Sequence, residues 1–85
     1  MINSFGYIYK TTNLVNNKVY IGRHNGEFER RYLGSGTIIG RAINKYGRDN
    51  FAAILIGQAI NKETLKILER YYIAYYRELL GWDMV

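Results

Sequence analysis

Three short β-prone runs and two stretches of helical periodicity, punctuated by glycine and asparagine, predict an α+β fold for this 85-residue chain. Tyr7-Ile8-Tyr9 and Val19-Tyr20-Ile21-Gly22 flank the Asn-rich segment Asn13-Leu14-Val15-Asn16-Asn17, which is the pattern of a β-hairpin. Phe51 to Gln58 supplies a third strand, and apolar residues recur at helical spacing after Ser35 and after Asn61. With no proline, low-complexity tract or internal repeat, the chain reads as one domain over residues 1–85 with short connections.

In the hairpin, a two-residue turn at Asn16-Asn17 would set His24 opposite Tyr9. Alternation then gathers Tyr7, Tyr9, Tyr20, Gly22 and the sole histidine, His24, on one face, with Ile8, Val19 and Ile21 on the other. The aliphatic face suits a core. The tyrosine face either fills a second core layer, hydroxyls to water, or is free for chemistry.

Phe28 and Tyr32 lie four apart in Glu27-Phe28-Glu29-Arg30-Arg31-Tyr32, with Arg31 beside them, and predict a short helical turn. Ser35 is a candidate cap for a helix from Thr37 to about Tyr46, in which Ile38, Ile39, Ala42 and Ile43 form the apolar stripe and Arg41 and Lys45 face outward. Gly47 ends it with a left-handed residue. The third strand, short and nearly all apolar, is expected to be buried on both sides. Asn61 caps the last helix, which runs to about Leu80 before Gly81.

At about 100° per residue, that helix collects Leu65, Leu68, Tyr72, Tyr75, Tyr76 and Leu79 in one stripe, with Lys62, Lys66, Arg70 and Arg77 on the other side. Glu63 and Glu78 fall on the polar side, whereas Glu69 falls on the edge of the apolar stripe, directed toward the body of the protein. A carboxylate there needs an arginine, a cation or a raised pKa. The residue one turn further on is Ile73, so no base pairs with it along the helix.

Twelve Lys+Arg against seven Asp+Glu give a net charge of +5, which favours a polyanionic partner, nucleic acid or an acidic membrane surface. The absence of cysteine removes disulfides, thiolate nucleophiles and cysteine-based zinc sites, and makes a reducing cytoplasm the default location. No apolar run approaches the roughly 20 residues of a membrane-spanning helix, and Met1 to Lys10 lacks the charged start and apolar block of a secretion leader.

Tyr7-Ile8-Tyr9, Val19-Tyr20-Ile21-Gly22, Arg31 and Glu69, with Asn44-Lys45-Tyr46-Gly47 and Phe51 between them, together resemble the GIY-YIG nuclease family, in particular the catalytic domains of phage-type homing endonucleases. The resemblance covers nearly the whole chain. It implies a three-stranded antiparallel sheet flanked by helices, the layout that periodicity gives, and hydrolysis of a phosphodiester in double-stranded DNA. It also implies one divalent ion, Mg2+ or Mn2+, held by the glutamate. Carried over residue by residue, Tyr9 matches the tyrosine of the first motif, Tyr20 that of the second, Arg31 the family arginine and Glu69 the metal ligand. Tyr7 stands where the first motif has glycine. Arg30 competes with Arg31, which is preferred because an aromatic residue, Tyr32, follows it.

The chemistry matches these groups. A guanidinium can stabilise charge building on the phosphoryl oxygens, and a carboxylate-bound cation can stabilise the leaving oxygen. A phenol with its usual pKa near 10 is a poor base, so positive charge must lower it or water must relay the proton. Arg23, next to the second motif, is the candidate helper, although strict alternation turns it to the opposite face. The general base is either Tyr9 or Tyr20. His24 is either a proton relay and phosphate contact or a strand-end surface residue. Asp83 of Gly81-Trp82-Asp83 stands where the family often shows asparagine, to support the metal or to hinder DNA. Arg30, Arg41, Lys45 and Arg48 are the candidate DNA contacts. Sequence specificity would come from a separate recognition domain or protein, for which 85 residues leave no room. The alternative is a basic module that binds nucleic acid without cutting it.

Overall fold

The computed structural model describes residues 4–85. The chain forms β1 (Gly6–Asn13), β2 (Val19–Asn25), α1 (Thr37–Tyr46), β3 (Phe51–Ala59) and α2 (Lys62–Leu80), with single 3-10 turns at Arg48–Asn50 and Trp82–Met84. The three strands make one sheet in the order β2-β1-β3, and both pairings are antiparallel. This is the expected α+β architecture. The reading of the N-terminus as free of a leader concerns, in part, residues 1–3, which lie outside the described residues.

The hairpin register differs from the expected one. Gly22, not His24, stands opposite Tyr9, and His24 pairs with Tyr7. The cause is Asn13, fully buried, whose side-chain Oδ1 accepts from the Val15 amide at 2.9 Å and starts the turn early. The Asn13 carbonyl accepts from the Asn17 amide at 2.7 Å, and Asn17 takes the left-handed conformation, φ 64°. A displacement of two residues preserves parity, so the tyrosines, Gly22 and His24 still share one face.

The central position of β1 reverses the burial expected for β3. β1 is buried on both faces, whereas β3 is an edge strand with Ile54 50% and Leu55 40% exposed. One face of the sheet packs Ile8 and Ala59 against Leu65 of α2, with Ile21, Ile56, Leu68 and Tyr72 around them. The opposite face packs Phe51 against Leu33 and Ile39 of α1, with Tyr20, Ala42, Ile43 and Tyr46. The tyrosine face is therefore largely a second core layer rather than a free surface: Tyr7 is fully buried, and its hydroxyl makes no hydrogen bond among the described residues.

The local signals at the helix ends hold in α2. Asn61 Oδ1 accepts from the Thr64 amide at 2.8 Å, and Gly81, φ 98°, receives the end of the helix. Gly47, φ 87°, likewise ends α1. Ser35 does not cap α1. Gly36 holds that position without a side-chain bond, and the Ser35 hydroxyl accepts from the Tyr32 phenol at 3.0 Å instead. Residues 27–32 keep a single hydrogen-bonded turn, in which the Tyr32 amide donates to the Glu29 carbonyl at 3.0 Å, and do not extend it into a helix, because Phe28 and Tyr32 turn onto the sheet against Tyr7 and Tyr9 at ring distances of 5.4 and 5.5 Å. The apolar stripes are also only partly covered: Ile38 in α1 and Tyr75 and Leu79 in α2 are exposed. A three-stranded sheet is roughly 10 Å between its outer strands, too narrow to cover more of each helix. Arg77, expected on the open face of α2, packs against Trp82 at 4.6 Å. Among the described residues, no helix is long and apolar enough to cross a membrane.

Candidate active site

The outer edge of β2 is where the two layers meet. Tyr9, on the central strand, extends its phenol across Gly22, where any β-carbon would overlap the ring. Its hydroxyl is thereby carried toward the edge of the sheet, where Tyr9 shares a groove with Ile73 and Arg77 of α2. Burial above all, with the neighbouring Tyr32 hydroxyl and Glu69 carboxylate adding to it, pushes the Tyr9 phenol up to about 12. Burial raises Tyr20 as well. Both shifts oppose the lowering expected for a tyrosine base.

Arg23 follows strand alternation and projects from the Ile8 face, away from the phenols. There its Nε donates to Glu69 Oε1 at 3.2 Å, joining β2 to α2. The inward acid thus has an arginine partner, and this pair still reaches solvent, with side chains 35% and 27% exposed. Arg23, His24, Asn25, Tyr32, Ser35 and Glu69 line one open depression of about 490 Å3. The His24 ring stacks on Tyr32 at 3.9 Å with planes 21° apart, and the Tyr32–Ser35 hydrogen bond fixes the far wall. Asn25, Tyr32 and Ser35 were not singled out by sequence as site residues. The aromatic after Arg31 and the Ser-Gly break were the available signals.

Tyr20 lies apart from this depression. It packs on Phe51 and lines, with Tyr9, a larger groove of about 570 Å3 on the flank of β2, whose wall also includes Asp83. Asp83 and Glu69 thus line different cavities. Arg30 and Arg31 are exposed on the loop that follows β2 and do not line the depression. The Arg31 carbonyl accepts from an Arg48 Nη, which ties that loop to the end of α1. Arg41, Lys45 and Arg48 are also exposed, with the Lys45 ammonium over the Tyr46 ring.

The donor set fits a hard divalent cation only loosely. Among the described residues, no group of three or more His, Cys, Asp or Glu side chains converges. Glu69 offers one carboxylate, with one oxygen engaged by Arg23. Such a site suits an ion that keeps several waters and takes further oxygens from a phosphate.

The chain is similar to endonucleases of Enterobacteria phage T4. It is 42% identical over 67 residues to "Putative endonuclease segB", a match that takes in 78% of this chain and 30% of that protein. Over 66 residues it is 39% identical to "Putative endonuclease segE", covering 76% of this chain and 32% of the relative. Over 54 residues it is 44% identical to "Endonuclease segA", covering 62% and 24%. The chain spans about a third or less of the length of these curated relatives. No protein-family model matches it. No solved structure matches it either.

Proposed function

We propose that this chain is a GIY-YIG-type endonuclease domain that hydrolyses a phosphodiester of double-stranded DNA at the β2 edge, with Glu69 holding one Mg2+ or Mn2+ ion. The observation that carries the reading is the inward Glu69, gathered with Arg23 and His24 in one open depression and close enough to Tyr9 to raise its phenol. The relatives' name, endonuclease, supports it.

An ion at Glu69 would supply Lewis-acid stabilisation of the leaving oxygen, with waters and phosphate oxygens in its shell. The protein's own groups do the rest. Tyr9, with a pKa of about 12, is a neutral phenol at physiological pH and orients the attacking water or a phosphoryl oxygen by hydrogen bonding. His24, in the depression, is the acceptor through which the water's proton leaves. Tyr20 supports the neighbouring groove. Arg31 is the arginine that the family resemblance assigns to the phosphoryl charge, with Arg30 beside it. Arg30, Arg41, Lys45 and Arg48 hold flanking phosphates without reading bases, so intrinsic sequence preference is low. A separate recognition domain or protein supplies the target.

The second reading, a basic module that binds without cutting, is favoured by the Arg23–Glu69 ion pair, which gives the acid a structural partner. Supercoiled plasmid incubated with Mg2+ or Mn2+ separates the two. Nicked and linear products that require metal and vanish with Glu69→Ala are expected from the nuclease. Retention of plasmid in EDTA, with no cutting under any metal, would assign the module instead.

A further inference from the structure

We infer that Arg23 is the guanidinium that meets the reacting phosphate, holding Glu69 through Nε and leaving its Nη groups for the phosphodiester. The inference rests on the nuclease reading of the depression. Arginine has five N–H donors in a rigid plane, and the bond from Nε to Glu69 Oε1, at 3.2 Å, is the only one that Arg23's side chain makes among the described residues. The unused donors belong to a side chain that is 35% exposed and lines the same depression as His24 and Glu69. One residue thus touches the carboxylate that would hold the ion and has the charge-assisted, planar donors that a phosphate takes.

Arg30 and Arg31 offer the same chemistry from a poorer position. Both are exposed on an irregular loop, outside the walls of the depression. Arg23 is carried by a paired strand, with Ile8 directly opposite, and groups on such elements are held more precisely than groups on loops. The ion pair also accounts for an inward acid in the absence of substrate: the guanidinium neutralises Glu69 until a phosphate and its cation share the site.

The test compares wild type, Arg23→Gln, Arg23→Lys, Arg31→Ala and Glu69→Ala in plasmid cleavage with Mn2+, and measures Mn2+ binding to the DNA-free proteins by electron paramagnetic resonance. Arg23→Gln and Arg23→Lys should each lose on the order of 10²–10³-fold in cleavage, because lysine keeps the charge but not the two-sided fork. Arg31→Ala should lose less than about 10-fold. DNA-free Arg23→Gln should bind Mn2+ several-fold more tightly than wild type, since a cation 3.2 Å from the carboxylate has been removed. Cleavage by Arg23→Gln within threefold of an active wild type, or a 10²-fold loss confined to Arg31→Ala, would overturn the role of Arg23 and leave the nuclease standing. Mn2+ affinity unchanged by Arg23→Gln would overturn its hold on Glu69. If Arg23→Gln loses its native circular dichroism, Arg23→Lys decides: full activity overturns the inference, and a folded, inactive protein supports it. A wild type that never cuts, indistinguishable from Glu69→Ala, overturns the nuclease reading and the inference with it.

Discussion

At the β2 edge, the Tyr9 ring lies over Gly22. At the β3 edge, the Tyr72 ring lies over Gly57, where a β-carbon would come within 2.8 Å of it. The same device, a phenol packed on a glycine, finishes both sides of one sheet. The surroundings differ. Tyr9 comes from the central strand and ends near Glu69 and Tyr32, at the border of a polar depression. Tyr72 comes from α2 and sits among Ile56, Leu68 and the ring of Tyr71, which itself stacks on Tyr75. A tyrosine on a glycine is thus a packing motif, and it becomes a candidate site only where titratable groups from both layers converge beside it.

The comparison can be broken at its strongest point first. Glu69→Ala should reduce plasmid cleavage by about 10³-fold or more, while Ile54→Thr on the β3 edge should leave the rate within twofold. Equal losses would mean that the two edges do not differ in function. Tyr9→Phe should cost on the order of 10²-fold in cleavage, and Tyr72→Phe almost nothing, as a steady-state rate series would reveal. Gly22→Ala and Gly57→Ala should each destabilise the fold by about 1–3 kcal/mol in urea melts, the usual effect of overpacking, yet only Gly22→Ala should also depress cleavage of folded protein.

The smallest effect is a pH dependence. The Tyr9 phenol ionises near 10 in an unfolded chain and at about 12 in the folded one. Its stabilising contribution is therefore complete below pH 10 and is lost as pH rises toward 12, because the unfolded chain releases the proton first. Urea midpoints between pH 8 and pH 11 should fall more steeply in wild type than in Tyr9→Phe. Parallel slopes would show that the phenol titrates as an exposed one.

Much of the fold was legible because its signals are local. Asn61, Gly47 and Gly81 end helices through their own backbone or side-chain bonds, and period-two alternation put the tyrosines on one face whatever the register. The position of β3 was not legible, since an apolar run does not state whether its strand will lie at the centre or the edge of a sheet. The bond from Tyr32 to the Ser35 hydroxyl was not legible, nor was the halt of the 27–32 segment after one turn, because Phe28 and Tyr32 pack on the sheet and that contact outweighs a weak helical preference. Glu69 was legible as an inward acid. Its bond to Arg23 was not, because alternation gives the face of Arg23 but not the helix that will cover it.

The early turn at Asn13 has a consequence for assembly. The hairpin closes through a loop of a few residues, an event of roughly 1–10 μs in isolated hairpins, and that closure alone brings Tyr9 opposite Gly22. The contact between Arg23 and Glu69 spans 46 residues and waits for α2 to dock. One half of the candidate site is therefore a product of the nearest-neighbour chain, and the other is a report that the whole domain has closed.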